Sequence, residues 1–175
     1  MSRAIRFAPL ALLLIVILAL VWRLATPADT TVSSKLEGQP LPVFQLAAAV
    51  PPKAALETAD FATGQPRILN IFASWCVPCI TEVRVLQGLK ARGVHIDGIA
   101  VRDRPEDIAD FLAQRGDPYE RIGSDAQSRV QIALGSSGVP ESFIVDGRGI
   151  IRYQHIGPIV ETDMPMILAR LEKAI

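Results

Sequence analysis

Arg67-Ile68-Leu69-Asn70-Ile71-Phe72-Ala73-Ser74-Trp75-Cys76-Val77-Pro78-Cys79 is an apolar run that closes on two cysteines separated by two residues. Residues 67–72 are apolar and β-branched enough to form a buried strand. Residues 74–88 then read as a helix, with Val83, Leu86 and Leu89 at helical spacing and Gly88 expected to fray its end. The cysteines therefore fall where a strand hands over to a helix.

The rest of the chain extends this pattern. Residues 94–101 alternate and predict a second strand. Residues 103–114 predict a helix that opens on Asp103, carries Pro105 in its first turn and stops near Gly116. Residues 119–122 predict a short edge strand and 124–134 another helix. Residues 141–145 and 150–155 flank Asp146-Gly147-Arg148-Gly149, a hairpin of antiparallel strands. An amphipathic helix is expected over 162–174, and a short extended segment over 42–46. Strand, helix, strand, helix, hairpin, helix predicts an α/β fold: a central mixed sheet with helices on both faces and a right-handed βαβ crossover.

The chain has 175 residues, half of them hydrophobic, which suffices for one domain with a sizeable core. Its 18 basic and 18 acidic side chains balance to a net charge of zero, so no basic surplus points to nucleic acid. Residues 7–22 carry no charge, with Arg3 and Arg6 before them and Arg23 after. A helix needs about 20 residues to cross hydrocarbon, and at least about 17. The run reaches that length with Leu24 and Ala25 if Arg23 snorkels to the interface. Trp22-Arg23 is a poor cleavage site and Thr26-Pro27-Ala28 a weak one, so an uncleaved anchor is expected rather than a signal peptide. Arg3, Arg6 and the terminal amine outnumber Arg23, which puts the N-terminus in the cytoplasm and the remainder, in a bacterium, in the periplasm. The expected division is an anchor over 1–25, a polar tether over 26–37 and a folded domain over 38–175.

Cys76 and Cys79 are the only cysteines, and their placement signals a thioredoxin-like redox motif. Two intervening residues at a helix start bring the sulfurs within bonding reach. The helix amides and dipole stabilise a thiolate on Cys76. Cys79, tethered beside it and facing inward, can resolve a mixed disulfide. A purely structural disulfide is disfavoured: so short a loop gives only about 2 kcal/mol, against about 4.7 for a hundred-residue loop. A zinc site would need three or four ligands, and neither His95 nor His155 falls at ligand spacing from the cysteines. Both histidines read as sheet residues. Glu82, one turn after Cys79, reads either as a solvated carboxylate or as the proton acceptor for Cys79. Val139-Pro140 opens a strand, and sequence alone gives it no cis bond.

Several stretches run in a familiar order between about residues 38 and 155. These are Gly38-Gln39-Pro40-Leu41-Pro42-Val43-Phe44, Leu69 through Cys79 with Glu82, Asp117-Pro118-Tyr119, Gly135-Ser136-Ser137-Gly138-Val139-Pro140-Glu141, and Asp146 through Tyr153. On them the chain resembles the CcmG/DsbE thiol:disulfide interchange proteins of cytochrome c maturation, within the thioredoxin superfamily. The Trp-Cys-x-x-Cys marks only the superfamily; the Gly-x-Pro-Glu with its hairpin is more specific.

The resemblance implies that Cys76 attacks, Cys79 resolves and Pro140 is a cis-proline beside the disulfide, with Trp75 and Pro78 supporting the site. Glu82 and Glu141 would match acidic residues that tune it. Val77-Pro78 departs from the Pro-Thr or similar pair that the family keeps. The implied reaction is reduction of the disulfide of an apocytochrome c, or of a CcmH-type helper, before haem attachment. Electrons would come from a CcdA- or DsbD-type membrane carrier, and no bound cofactor is implied. A TlpA- or ResA-like reductase shares the fold and the motif. A copper-delivery module would typically use Cys-x-x-x-Cys and a downstream histidine. A peroxidase would need a cysteine outside the motif. A DsbA-type oxidant would need a larger helical insert than 101–141 can hold.

Overall fold

A computed structural model describes residues 3–25 and 36–175. The chain divides into two compact units, one holding α1 (Arg3–Ala25) and the other the remaining described residues. Along α1, apolar side chains such as Leu12, Ile15 and Leu18 are exposed. Among the described residues no helix is long and apolar enough to cross a membrane. The anchor expected over 1–25 leans on Arg23, Leu24 and Ala25, whose side chains lie outside the description, as do residues 26–35 of the expected tether.

The second unit is built on a five-stranded mixed sheet in the order β5-β4-β3-β6-β7. β3 (Arg67–Phe72) is its centre, buried at all six positions, as a strand covered on both faces must be. β4 (His95–Val101) pairs parallel to it, and β5 (Ile122–Asp125) parallel to β4. β6 (Glu141–Val145) runs antiparallel on the other side of β3, followed by β7 (Ile151–Ile156). A two-stranded ribbon, β1 (Gln45–Leu46) with β2 (Leu56–Glu57), precedes the sheet and bridges to its β5 edge through Ala48–Gly123 and Ala54–Arg121. The flanking helices are α2 (Val77–Lys90), α3 (Pro105–Arg115), α4 (Arg129–Ala133) and α5 (Met164–Glu172).

The hairpin appears as its turn sequence predicts. Asp146 accepts the amides of Arg148 and Ile150 at 2.9 Å each and binds Arg152 Nη2 at 2.6 Å. Other expectations shift. α2 begins at Val77 rather than near Ser74, and it runs through Gly88 to Lys90. β4 does not alternate: Ile96 to Val101 are all buried, as in a strand covered on both faces. Tyr119 is not in an edge strand: its ring enters the core and stacks on Phe72 at 4.6 Å, so β5 starts at Ile122. Ser124 and Asp125, expected in a helix, pair with Ala100 and Val101 instead, and this shortens α4.

Candidate active site

Cys76 caps α2 in an extended conformation (φ −86°, ψ 109°), and its Sγ accepts the Cys79 N–H at 3.2 Å. The two cysteines are joined in a disulfide with Cα atoms 5.3 Å apart. Pro78 lies in the first turn, where an amide would have no partner within the helix. That turn carries no acidic residue. When the bond opens, the helix amides and dipole therefore favour a thiolate on Cys76 unopposed. Both cysteines are buried, while Trp75 and Val77 beside them are 59% and 71% exposed.

The loop into α2 is held from outside. Ser74 donates its amide and hydroxyl to the Asp103 carboxylate at 2.6 and 2.7 Å, and Trp75 Nε1 donates to the Arg102 carbonyl at 3.3 Å. Asp103 is thus a clasp on this loop and not the cap of α3, whose N-cap is Arg104. Arg102 (φ 49°) and Ser128 (φ 54°) are the only described non-glycine residues in the left-handed region, and Arg102 Nε donates to Ser128 Oγ at 3.0 Å. Such backbone is held at a cost and gathers at functional sites. The two help line a groove of about 310 Å³ with Trp75, Ile132, Ser137 and Val139.

The antiparallel register explains the opposite wall. Glu141 pairs with Ile71, so Pro140 falls opposite Phe72 at the end of β3, beside the loop that carries the cysteines. Its bond to Val139 is cis.

Beneath the cysteines, Glu82 is 1% exposed. Its Oε1 accepts the Ile159 amide at 2.9 Å, and its Oε2 accepts Asn70 Nδ2 at 3.2 Å. Burial pushes its carboxyl up to about 7, and the two hydrogen bonds only partly oppose that. A carboxyl poised near neutrality one helical turn from Cys79 can take up and return a proton at working pH.

A redoxin family profile matches residues 36–171. A thiol:disulfide interchange protein DsbE of Tatumella citrea is 35% identical over 163 residues, covering 91% of this chain and 88% of its own. DsbE of Escherichia coli K12 is 34% identical over the same spans. A crystal structure of a thiol:disulfide interchange protein of the thioredoxin family from Chlorobium tepidum superposes with a TM-score of 0.58 at 25% identity, covering 75% of this chain and 94% of the other. The chain is a DsbE-type redoxin.

As a DsbE-type redoxin it is a thiol-disulfide oxidoreductase. Of the residues singled out from sequence, Trp75, Cys76, Pro78, Cys79 and Pro140 gather at the head of α2, with Glu82 below them. Glu82 is a buried carboxylate and not the solvated one that sequence alone allowed. Glu141 is also buried; its Oε1 accepts the Ser137 hydroxyl at 2.8 Å and its Oε2 accepts Gln154 Nε2 at 3.3 Å. It braces the loop before Pro140, and its recorded partners are that loop and β7. His95 sits at the far end of the sheet, paired with Glu120 at 2.6 Å, about 17 Å of strand away from the cysteine loop. His155 lies on β7 near Asp163. Sequence reasoning passed over Asn70, Asp103 and the Ile159 amide. Asn70 left a signal, being one polar side chain in the middle of a buried strand, where it must find partners.

Proposed function

We propose that this protein is a membrane-anchored periplasmic reductant that opens the disulfide of an apocytochrome c, or of a CcmH-type helper, before haem is attached. The observation that carries the reading is the buried Glu82 set one turn behind a dithiol at a helix N-terminus. The Gly-x-Pro-Glu and hairpin residues shared with CcmG/DsbE proteins support the substrate class.

In the reduced state the Cys76 thiolate attacks one sulfur of the substrate disulfide. A new S–S bond forms, and the substrate's other sulfur leaves as a thiolate. Glu82 takes the proton from Cys79. The Cys79 thiolate then attacks Cys76 Sγ, and the substrate's remaining sulfur departs. Two electrons have passed to the substrate, and the Cys76–Cys79 bond has closed. An oxidising compartment cannot supply the next pair of electrons, so a CcdA- or DsbD-type membrane carrier is their source. Residues 7–22 of α1, extended through Ala25, serve as the anchor that keeps the domain near that carrier. The N-terminus is cytoplasmic, and residues 26–37 are the tether.

Cys79→Ser removes the resolving thiol and should trap substrate on Cys76 in envelope fractions, whereas Cys76→Ser should trap nothing. Mass spectrometry of the trapped species reads the partner. Recovery of an apocytochrome c or its helper supports the proposal. Recovery of cytochrome oxidase assembly proteins alone would replace it with a TlpA- or ResA-like role.

A further inference from the structure

Asn70, on β3, is fully buried and joins three parts of the molecule. Its Nδ2 donates to Glu82 Oε2 on α2 at 3.2 Å and to Ser142 Oγ on β6 at 2.9 Å. Its Oδ1 accepts the hydroxyl of Tyr119 at 2.8 Å. Among the described residues no buried side-chain polar atom here lacks a partner.

The chemistry of the neighbours on both sides fits the way the amide points. An ionised carboxylate can only accept, so the nitrogen must face Glu82. From the other side, burial drives the Tyr119 phenol well above its ordinary range, so it keeps its proton and has it to donate to Asn70 Oδ1, as the 2.8 Å contact shows.

We propose that Tyr119 is a positioning residue for the redox site, acting through Asn70. Its hydroxyl locks the amide so that Nδ2 is presented to Glu82 and keeps that side chain a proton acceptor beside Cys79. This rests on reading Glu82 as the acceptor for Cys79. Without the hydroxyl, the amide is free to rotate and offer Oδ1 to Glu82, which rewards the protonated acid and blunts it as a base. Among the described residues, the groups that bear on Glu82 are the Ile159 amide, Asn70, the neutral Tyr119 phenol behind it and, when reduced, Cys79 one turn back on its own helix. Burial sets most of its proton affinity, and the amide's orientation decides whether one of the two hydrogen bonds opposing that rise is kept.

Tyr119→Phe keeps the ring that stacks on Phe72 and removes only the hydroxyl. Carbon NMR of the Glu82 carboxyl in the oxidised full-length chain reads the effect directly, since disulfide sulfurs do not titrate. The midpoint should rise by about one pH unit. The pH–rate profile of disulfide reduction by the reduced protein should move up with it. In an Asn70→Ala background, Tyr119→Phe should add nothing. An unmoved or lowered Glu82 midpoint in Tyr119→Phe, even with lower stability, would show that the hydroxyl only satisfies the core, and would overturn the proposal. The proton-acceptor reading fails separately, if the midpoint rises while Glu82→Gln leaves disulfide reduction unchanged.

Discussion

At the scale of single residues, the site depends on where one carboxyl is kept. Glu82 sits on a helix, where such a side chain usually reaches water, yet it is turned inward among Asn70, Ile159 and Cys79. A negative charge there would oppose ionisation of the sulfurs, making the dithiol form easier to hold and the protein a weaker oxidant. Glu82→Gln should lower the pH at which the cysteine pair titrates by on the order of one unit. Thiolate absorbance against pH checks this, and an unchanged curve would remove Glu82 from the chemistry. Much at this scale was legible. The cysteines and Pro140 stood out by spacing and resemblance; Asn70 showed only as one polar residue in an apolar run, with nothing to say what it meets. Its partners come from positions 12, 49 and 72 residues away, which periodicity does not see.

At the scale of elements, the sequence named β3, the β6–β7 hairpin and the helix carrying the cysteines, because each rests on a local signal. It misplaced those whose ends are set by neighbours. β5 and α4 trade Ser124 and Asp125 because β4 recruits these residues into the sheet. Gly88 does not end α2, since the helix packs on past it as far as Lys90. The contact of β4 with the core shows how closely these layers fit. A Cβ on Gly98 would lie 2.8 Å from Phe72 Cε1 and 3.0 Å from Tyr119 Cδ1, inside a stack of buried rings. Gly98→Ala should therefore destabilise the domain by about 1–3 kcal/mol. Urea denaturation measures this, and wild-type stability would mean that the rings yield freely.

At the scale of the whole molecule, the buried carboxyl ties folding to pH. Glu82 is raised from an ordinary 4.5 to about 7, so the folded state binds its proton more tightly than the unfolded chain does. Its contribution is therefore fully present below about pH 4.5 and is lost as pH climbs through 7. The loss comes to about 3 kcal/mol. The stability of the oxidised wild type relative to Glu82→Gln should fall across that window; a flat difference between the two chains would contradict the burial described for Glu82. The same enclosure governs which partners can exchange electrons with the cysteine pair. The sulfurs are sunk below a rim of Trp75 and Val77, so a stray oxidant colliding at random meets carbon first. A folded partner must shape itself around Trp75 and Val77 to bring its own cysteines to the sulfurs. Insulation by shape keeps the circuit from shorting, whatever the voltage at which it runs.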